Sequence, residues 1–226
     1  MQAQDRVRLG NERDVEEQPA IFIGHGDPKV AIEFDDWSEN VCTFLEQFPK
    51  PTAIIVLSAH WTTDNAIKIT SSDMPEQLYE FEGFPETIYQ LTYPCDGDPE
   101  LASMLADILA DIGLEVTLDD KRGIDHGAWI PLYIAFPNAD IPVVQVSLPK
   151  LATPQQIMNI GTGLSTLRKQ GVLLIGSGNL VFNLDLADQN NKYKEPELWT
   201  KETDNWIDQQ LKEANIEVLL DYRSSM

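Results

Sequence analysis

Short apolar or alternating runs are interspersed along the chain with segments of helical periodicity. Such runs are typical of strands in a buried sheet. They lie at 20–23, 53–57, 66–70, 114–118, 142–148 and 172–176. Apolar residues spaced three and four apart predict helices, at 35–48, 98–112, 153–169 and 195–214. Strands that alternate with helices predict an α/β fold with a mostly parallel central sheet flanked by helices.

The same pattern predicts the domain organisation. Residues 1–18 are polar and charged without periodicity, so we expect a flexible lead-in there. The alternation of strands and helices predicts a single domain over 19–226. One helix start is well marked, because Asp98 is a capping acid and Pro99 suits the first helical position. The stretch at 129–136 is compatible with a short helix or with an apolar loop.

The composition narrows the choice of partners and compartment. The 226 residues include 37 acidic and 16 basic side chains, which give a formal net charge of −21. This charge repels phosphate backbones and anionic lipids, so we expect neither nucleic acid nor a membrane surface as a partner. Cys42 and Cys95 show no disulfide or thiolate-ligand spacing. Without an apolar signal segment or an apolar run long enough to span a bilayer, a cytoplasmic protein is expected.

Chemistry is expected beyond the carboxyl ends of the strands, where ligands bind in open α/β sheets. Two of the three histidines lie there: His25 follows the run at 20–23, and His60 follows the run at 53–57. Imidazole is a common ligand of zinc and of non-haem iron. These two side chains are therefore candidate metal ligands, and the alternative is that each is an ordinary hydrogen-bonding or surface histidine.

The third histidine, His126, lies in a predicted loop beside Asp125. A neighbouring carboxylate can orient an imidazole or raise its pKa, which suits a general acid or base. The alternative is a polar loop pair without a catalytic role. Asp27, two residues after His25, is either a further metal ligand or an acidic turn residue.

Serine and aromatic residues accompany these histidines. Neither Ser58 nor Ser177 lies in a G-x-S-x-G motif, so the nucleophile elbow of an α/β hydrolase is absent. Four aromatic side chains line either a pocket for an aromatic ligand or the hydrophobic core. They are Trp61, Phe81, Phe84 and Trp129.

Six short motifs, in order along residues 19–184, together resemble a known family. They are GHGDP (24–28), SAHW (58–61), EFEGFP (80–85), GIDHGAW (123–129), ADIPVVQVS (139–147) and GSGNLVFNL (176–184). This combination is similar to the class III extradiol ring-cleavage dioxygenases, in the branch that contains the 4,5-DOPA dioxygenases.

The resemblance implies an enzyme that opens a catechol-type aromatic ring at a non-haem divalent metal and incorporates both atoms of O2. The metal would be Fe²⁺ in function, although Zn²⁺ also occupies such sites. Carried over by position, His25 and His60 would bind the metal, and His126 would be the catalytic acid or base. The residues that would line the pocket for a small aromatic substrate are Trp61, Phe84 and Trp129.

Two features depart from the family pattern. The family has a metal-binding histidine in V-H-N-L, where this chain has Phe182, which has no lone pair. A further family histidine near the carboxyl terminus has no counterpart, so the chain is apparently short at that end. The residues that could substitute for or support the lost ligand are Asp27, Asp125 and Asn183. Two hypotheses follow: a dioxygenase with an impaired or altered metal site, or an inactive homologue that acts as a binding or regulatory protein.

Overall fold

A computed structural model describes residues 16–181, 183 and 195–225 of the chain. The strands are β1 (Ala20–Gly24), β2 (Ala53–Thr63), β3 (Ile67–Thr70), β4 (Val116–Asp119), β5 (Val143–Pro149) and β6 (Val172–Gly178). The α-helices are α1 (Asp36–Leu45), α2 (Glu86–Tyr89), α3 (Pro99–Asp111), α4 (His126–Ala135), α5 (Pro154–Ser165), α6 (Leu198–Lys212), α7 (Ile216–Leu220) and α8 (Tyr222–Ser225). Within the described residues, two 3₁₀ helices lie at Pro28–Ala31 and Thr166–Gln170. No helix in the described ranges combines the length and the apolar composition of a transmembrane span.

The six strands form one sheet in the order β1-β6-β2-β5-β3-β4. The neighbouring strands run parallel, except that β3 and β5 are antiparallel. The predicted α/β fold with a mostly parallel sheet and flanking helices is therefore confirmed. Because β6 lies between β1 and β2, the carboxyl ends of these three strands lie side by side.

Hydrophobic side chains cover both faces of the sheet, because successive residues of a strand point to opposite sides. In β2, Ile54 and Val56 belong to a core that also contains Leu45 of α1 and Trp129 of α4. Ile55 belongs to the core on the other face, together with buried residues of α3 and α5. Burial on both faces explains why the strands have nearly continuous apolar sequences.

The strand β2 is longer than predicted. It continues to Thr63, so Ser58 and His60 lie within the strand and not after it. The physical reason is a second stretch of pairing with β5, which begins at Thr62 after a register shift that follows Leu57. His60 therefore lies in β2 between two stretches of pairing, where the register shifts.

The helix α4 begins at His126, which the sequence pattern placed in a loop. Asp125 caps this helix, since its side chain accepts a hydrogen bond from the backbone N–H of Ala128. Pro131 lies inside the helix, which explains why the pattern at 129–136 was compatible with either a helix or a loop.

Residues 1–15 of the predicted lead-in lie outside the described residues. Gln18, which the prediction included in the lead-in, is buried. Its side-chain amide donates to the carbonyl of Pro49 at 2.9 Å, and its backbone N–H donates to the carbonyl of Arg168 at 3.0 Å. The packed part of the chain therefore begins before residue 19, and the assignment of 19–226 to a single domain stays a prediction.

The core assignment predicts a clear difference between two positions of α3. Leu109→Ala should reduce the free energy of unfolding by about 2–5 kcal/mol, because Leu109 is fully buried and its truncation leaves a cavity. Met104→Ala, at an exposed position of the same helix, should change it by less than about 1 kcal/mol. Urea unfolding measures both values, and equal losses would contradict the core described above.

Candidate metal and acid–base site

The three histidines of the chain lie together, although they come from separate elements. His25 directly follows β1, His60 lies in β2, and His126 is the first residue of α4. The ring centroids of His25 and His60 are 4.9 Å apart, and those of His60 and His126 are 4.0 Å apart. His25 and His126 are buried, whereas His60 is exposed. The side chains predicted to bind a metal and to transfer protons therefore form one cluster.

The register of the sheet explains why the first two histidines meet. Gly178 of β6 lies opposite Gly24 of β1, and the preceding Ser177 lies opposite Ser58 of β2. His25 follows Gly24 by one residue, and His60 follows Ser58 by two residues. The backbone N–H of His25 also donates to the carbonyl of Gly178 at 3.1 Å, which holds the turn after β1 against β6.

A chain of hydrogen bonds determines the tautomer of His25. Ser177 Oγ donates to the carbonyl oxygen of Gly127, and a carbonyl can only accept. The 2.7 Å bond between Ser177 Oγ and His25 Nδ1 must therefore be donated by Nδ1–H. The lone pair of His25 is then on Nε2, which lies 3.0 Å from Nε2 of His60.

The two facing Nε2 atoms fit part of a divalent-metal site. Nitrogen ligands lie about 2.0–2.1 Å from zinc, so at tetrahedral or octahedral angles two of them are about 3 Å apart. The 3.0 Å separation between His25 Nε2 and His60 Nε2 agrees with that spacing. The bond from His25 Nδ1 to Ser177 is also the kind of contact that orients a metal-binding imidazole. Among the described residues no group of three His, Cys, Asp or Glu side chains is arranged to hold a metal. A metal-binding role for His25 and His60 stays a prediction.

The residues considered as substitute ligands have different surroundings. Asp27 is exposed, and its carboxylate accepts a hydrogen bond from the N–H of Lys29 at 2.8 Å as the cap of the 3₁₀ helix Pro28–Ala31. Asn183 is also exposed, and Phe182 lies outside the described residues. A ligand role for Asp27, Asp125 or Asn183 stays a prediction.

Burial lowers the pKa of His25 and of His126 to about 4, because the charged imidazolium loses its hydration. The nearby His60 contributes to this lowering at both residues, and the carboxylate of Asp125 opposes it without cancelling it. Asp125 thus acts on the pKa of His126 in the direction that the sequence suggested, but burial outweighs it. Both imidazoles are neutral at pH 7, and His126 Nδ1 is buried without a hydrogen-bond partner among the described residues.

Asp125 is a fully buried carboxylate that receives hydrogen bonds from three elements. Its Oδ1 accepts from Ser58 Oγ of β2 at 2.7 Å and from the N–H of Ala128 in α4 at 3.3 Å. Its Oδ2 accepts from Nε2 of Gln145 in β5, and Gln145 Oε1 accepts from the backbone N–H of Asp125 at 3.1 Å. Ser58 Oγ in turn accepts from the N–H of His60 at 3.2 Å. The carboxylate thus connects β2 and β5 to the start of α4.

Arg122 supplies positive charge beside this carboxylate. One of its guanidinium nitrogens lies 3.8 Å from Asp125 Oδ2. The same guanidinium forms a two-pronged salt bridge with Glu80 at 2.7 and 2.8 Å. It also lies over the buried ring of Trp61, with its carbon 5.5 Å from the ring centroid. Trp61, predicted to line a substrate pocket, therefore packs against a cation.

Phe81 lies beside His126 and Phe84 packs against Phe81, and we call these two rings the aromatic wall. The ring of Phe81 lies 5.1 Å from that of His126 at 84°, and the ring of Phe84 lies 5.3 Å from that of Phe81. Trp129, by contrast, is fully buried in the core, and its indole N–H donates to the carbonyl of Leu78 at 3.0 Å. Of these predicted pocket residues, Phe84 reaches the cluster through Phe81, and Trp129 lies in the core.

Comparison with known proteins decides the family. Residues 20–225 match the family described as the catalytic LigB subunit of aromatic ring-opening dioxygenase. The chain belongs to this family. The resemblance carried by the six sequence motifs is therefore confirmed, and all three histidines lie within the matched range.

Individual relatives agree with membership of the LigB family. The 4,5-DOPA dioxygenase extradiol of Beta vulgaris is 35% identical over 225 residues, which cover 96% of this chain and 80% of that protein. The 4,5-DOPA dioxygenase extradiol of Escherichia coli K12 is 39% identical over 167 residues, covering 74% and 60%. A crystal structure of an uncharacterized Escherichia coli K12 protein has a TM-score of 0.66 at 30% identity, and covers 78% of this chain and 66% of that one.

Two residues of this LigB-family site were not predicted from the sequence. Gln145 interrupts the apolar run at 142–148, and a polar residue within a buried strand is a signal that could have indicated it. Arg122 carries no comparable signal, because its contacts with Glu80 and Asp125 depend on how two loops meet.

The close packing predicts that Gly127 tolerates no side chain. A Cβ at this position would lie 2.5 Å from Ser58 Oγ and 2.8 Å from His60 Cδ2. We expect Gly127→Ala to reduce the free energy of unfolding by about 1–3 kcal/mol, and to shift the imidazole NMR signals of His60.

Gly161→Ala is the matched control, because a Cβ there would meet nothing within 4 Å and the position lies in α5. Since alanine favours a helix over glycine, this variant should be neutral or more stable by up to about 1 kcal/mol. Urea unfolding and imidazole NMR measure both variants. A Gly127→Ala protein that matches the Gly161→Ala protein in both measurements would contradict the packing around His60.

Proposed function

We propose that this chain is an extradiol dioxygenase that opens a catechol-type aromatic ring with O2, using one divalent metal ion, Fe²⁺ or Zn²⁺. The observation that carries the proposal is the 3.0 Å approach of His25 Nε2 to His60 Nε2, beside the imidazole of His126. Membership of a family of aromatic ring-opening dioxygenases supports the same reaction.

His25 and His60 would hold the metal through their Nε2 atoms. A bound Fe²⁺ would supply Lewis acidity toward the catechol oxygens and electron exchange with O2. The protein holds the two nitrogens close together. Ser177 fixes the ring of His25, and the strand β2 carries the backbone of His60. The remaining positions of the site are open to substrate oxygens, to water or to donors outside the described residues.

His126 would act as the catalytic acid or base. Its ring centroid lies 4.0 Å from that of His60, and its Nδ1 has no hydrogen-bond partner among the described residues. An imidazole in this place can accept the proton of a catechol hydroxyl and return it after ring opening. The cap formed by Asp125 fixes the start of α4 and so holds His126 beside the metal-binding pair.

The substrate would be a small aromatic compound with adjacent hydroxyl groups. Phe81 and Phe84 offer apolar ring surfaces beside His126, against which an aromatic ring can pack. The Beta vulgaris relative is named 4,5-DOPA dioxygenase extradiol, and DOPA is an aromatic compound of this chemical class. In the net reaction, one ring carbon–carbon bond next to a hydroxylated carbon breaks, and both oxygen atoms of O2 enter the product.

A second candidate function is ligand binding or regulation by a catalytically inactive homologue. It is favoured by Phe182, which occupies the position of a metal-binding histidine in the family pattern. It is also favoured by the presence of only two converging imidazole donors among the described residues. The affinity for metal separates the two candidates.

Metal content tests the metal site. Protein purified with Fe²⁺ or Zn²⁺ should hold close to one ion per chain. His25→Ala and His60→Ala should each lower the metal affinity by at least about tenfold, because each removes a nitrogen ligand. His126→Gln is the matched control, since it changes the third histidine of the cluster without removing a proposed ligand. Elemental analysis and chelator competition measure the affinity, and a metal content near zero in all of these proteins favours the second candidate.

Ring opening tests the role of His126. Anaerobic loading with Fe²⁺, followed by catechol and O2, should give a yellow ring-opened product. His126→Gln should retain the metal and slow this reaction by about 10²–10⁴-fold, because the acid or base is lost. Absorbance and O2 consumption measure the rate. An undiminished rate in His126→Gln would remove the acid–base assignment, and metal-loaded wild-type protein that consumes no O2 would argue against the dioxygenase.

A further inference from the structure

We propose that Gln145 is a positioning residue for the histidine cluster and that it acts through Asp125. The inference rests on the proposed function only where metal affinity is measured. The placement of the three imidazoles is a property of the metal-free protein and can be tested without a metal.

The environment of Gln145 shows why an amide stands in a buried strand. Gln145 is fully buried in β5 between Val144 and Val146, which belong to the hydrophobic core. A buried amide is unfavourable unless it is hydrogen-bonded. Its Nε2 donates to Asp125 Oδ2, its Oε1 accepts from the backbone N–H of Asp125, and its own N–H donates to Thr70 Oγ1 at 2.8 Å.

The direction of the Gln145 amide is determined by the backbone. The N–H of Asp125 can only donate, so it requires the carbonyl oxygen of the amide. The amide nitrogen is then turned toward Asp125 Oδ2. Gln145 therefore holds both the main chain and the carboxylate of Asp125 in one orientation.

The hydrogen bonds of Asp125 constrain the positions of two of the histidines. With Oδ2 bonded to Gln145, Oδ1 is directed at Ser58 Oγ and at the N–H of Ala128. Ser58 Oγ receives the N–H of His60, so the bonds form one path from β5 to the second proposed metal ligand. The bond to Ala128 caps α4, which begins at His126.

His25 is attached to the same network of hydrogen bonds. Gly127, the second residue of α4, accepts the hydroxyl of Ser177 through its carbonyl. Ser177 Oγ accepts Nδ1–H of His25. A change in the orientation of Asp125 should therefore be felt most at His60 and His126, and less at His25, which is further along the bonded path.

Exchanging the carboxylate at position 125 with the amide at position 145 provides a sharp test, because the structure shows which atoms donate. Asp125→Asn alone adds a second amide, so one N–H must face another donor at Gln145, Ala128 or the backbone of residue 125. Gln145→Glu alone places a carboxylate oxygen against Asp125 Oδ2. In the double variant, the new amide at 125 can donate to the new carboxylate at 145, which still accepts the backbone N–H.

The experiment records ¹H–¹⁵N spectra of the imidazole nitrogens in the metal-free protein, where the three histidines give the complete set of signals. Each single variant should shift the signals of His60 and His126 and lower the affinity for Zn²⁺ by about 10–100-fold. The double variant should return the signals toward their wild-type positions and recover most of the affinity.

Gln210→Met is the matched control. Gln210 is also a buried glutamine, and it bonds to Asn215 near the end of α6. Its substitution should leave the imidazole signals and the Zn²⁺ affinity unchanged, which separates the loss of any buried amide from the positioning effect. Thermal unfolding of every variant is recorded first, so that the spectra compare folded proteins.

Three results would overturn the proposal. The first is a folded single variant at 145 with wild-type imidazole signals, and the second is a double variant as perturbed as the single variants. If a single variant does not fold, Ser58→Ala replaces it, since it removes only the hydroxyl between Asp125 and His60. The third result that would overturn the proposal is an unchanged His60 signal in Ser58→Ala. If wild-type protein binds neither Fe²⁺ nor Zn²⁺, the proposed function fails, while the imidazole spectra still decide this inference.

Discussion

The buried carboxylate of Asp125 is the constraint on which the site depends. Removing a carboxylate from water costs several kcal/mol unless donors surround it. Here the donors come from Ser58 on β2, Gln145 on β5 and the first turn of α4, with Arg122 nearby. These elements can satisfy the charge only in one mutual arrangement. The positions of the histidines on β2 and α4 are consequences of that arrangement.

The contact between His25 Nε2 and His60 Nε2 requires a hydrogen between the two nitrogens. Two lone pairs that face each other at 3.0 Å repel, and the tautomer of His25 leaves its lone pair on Nε2. In the metal-free protein the hydrogen of this contact must therefore be carried by Nε2 of His60. Metal binding by this pair would require the loss of that proton. The same two nitrogens would then be available as ligands.

The sequence predicted the sheet and the position of His25 after β1 because both depend on local pattern. Buried strands appear as apolar runs, and the turn after β1 places His25 without further information. The extension of β2 through His60 was not predictable, because it depends on renewed pairing with β5 at Thr62. The helical start at His126 carried a capping acid, but Pro131 obscured the pattern that follows. The bond between Gln145 and Asp125 joins residues whose proximity is set only by the topology.

The histidines and the aromatic wall come from different kinds of structure. His25 follows β1, His60 lies in β2 and His126 begins a capped helix, and the backbone N–H groups of His25 and His60 donate to Gly178 and Ser58. Phe81 and Phe84 come instead from an irregular segment, which is attached to the site by the bond from Leu78 N–H to the Ile124 carbonyl and by the salt bridge of Glu80 with Arg122. Phe81 packs on the ring of His126, so a substitution there acts on the imidazole as well, whereas Phe84 reaches it through Phe81.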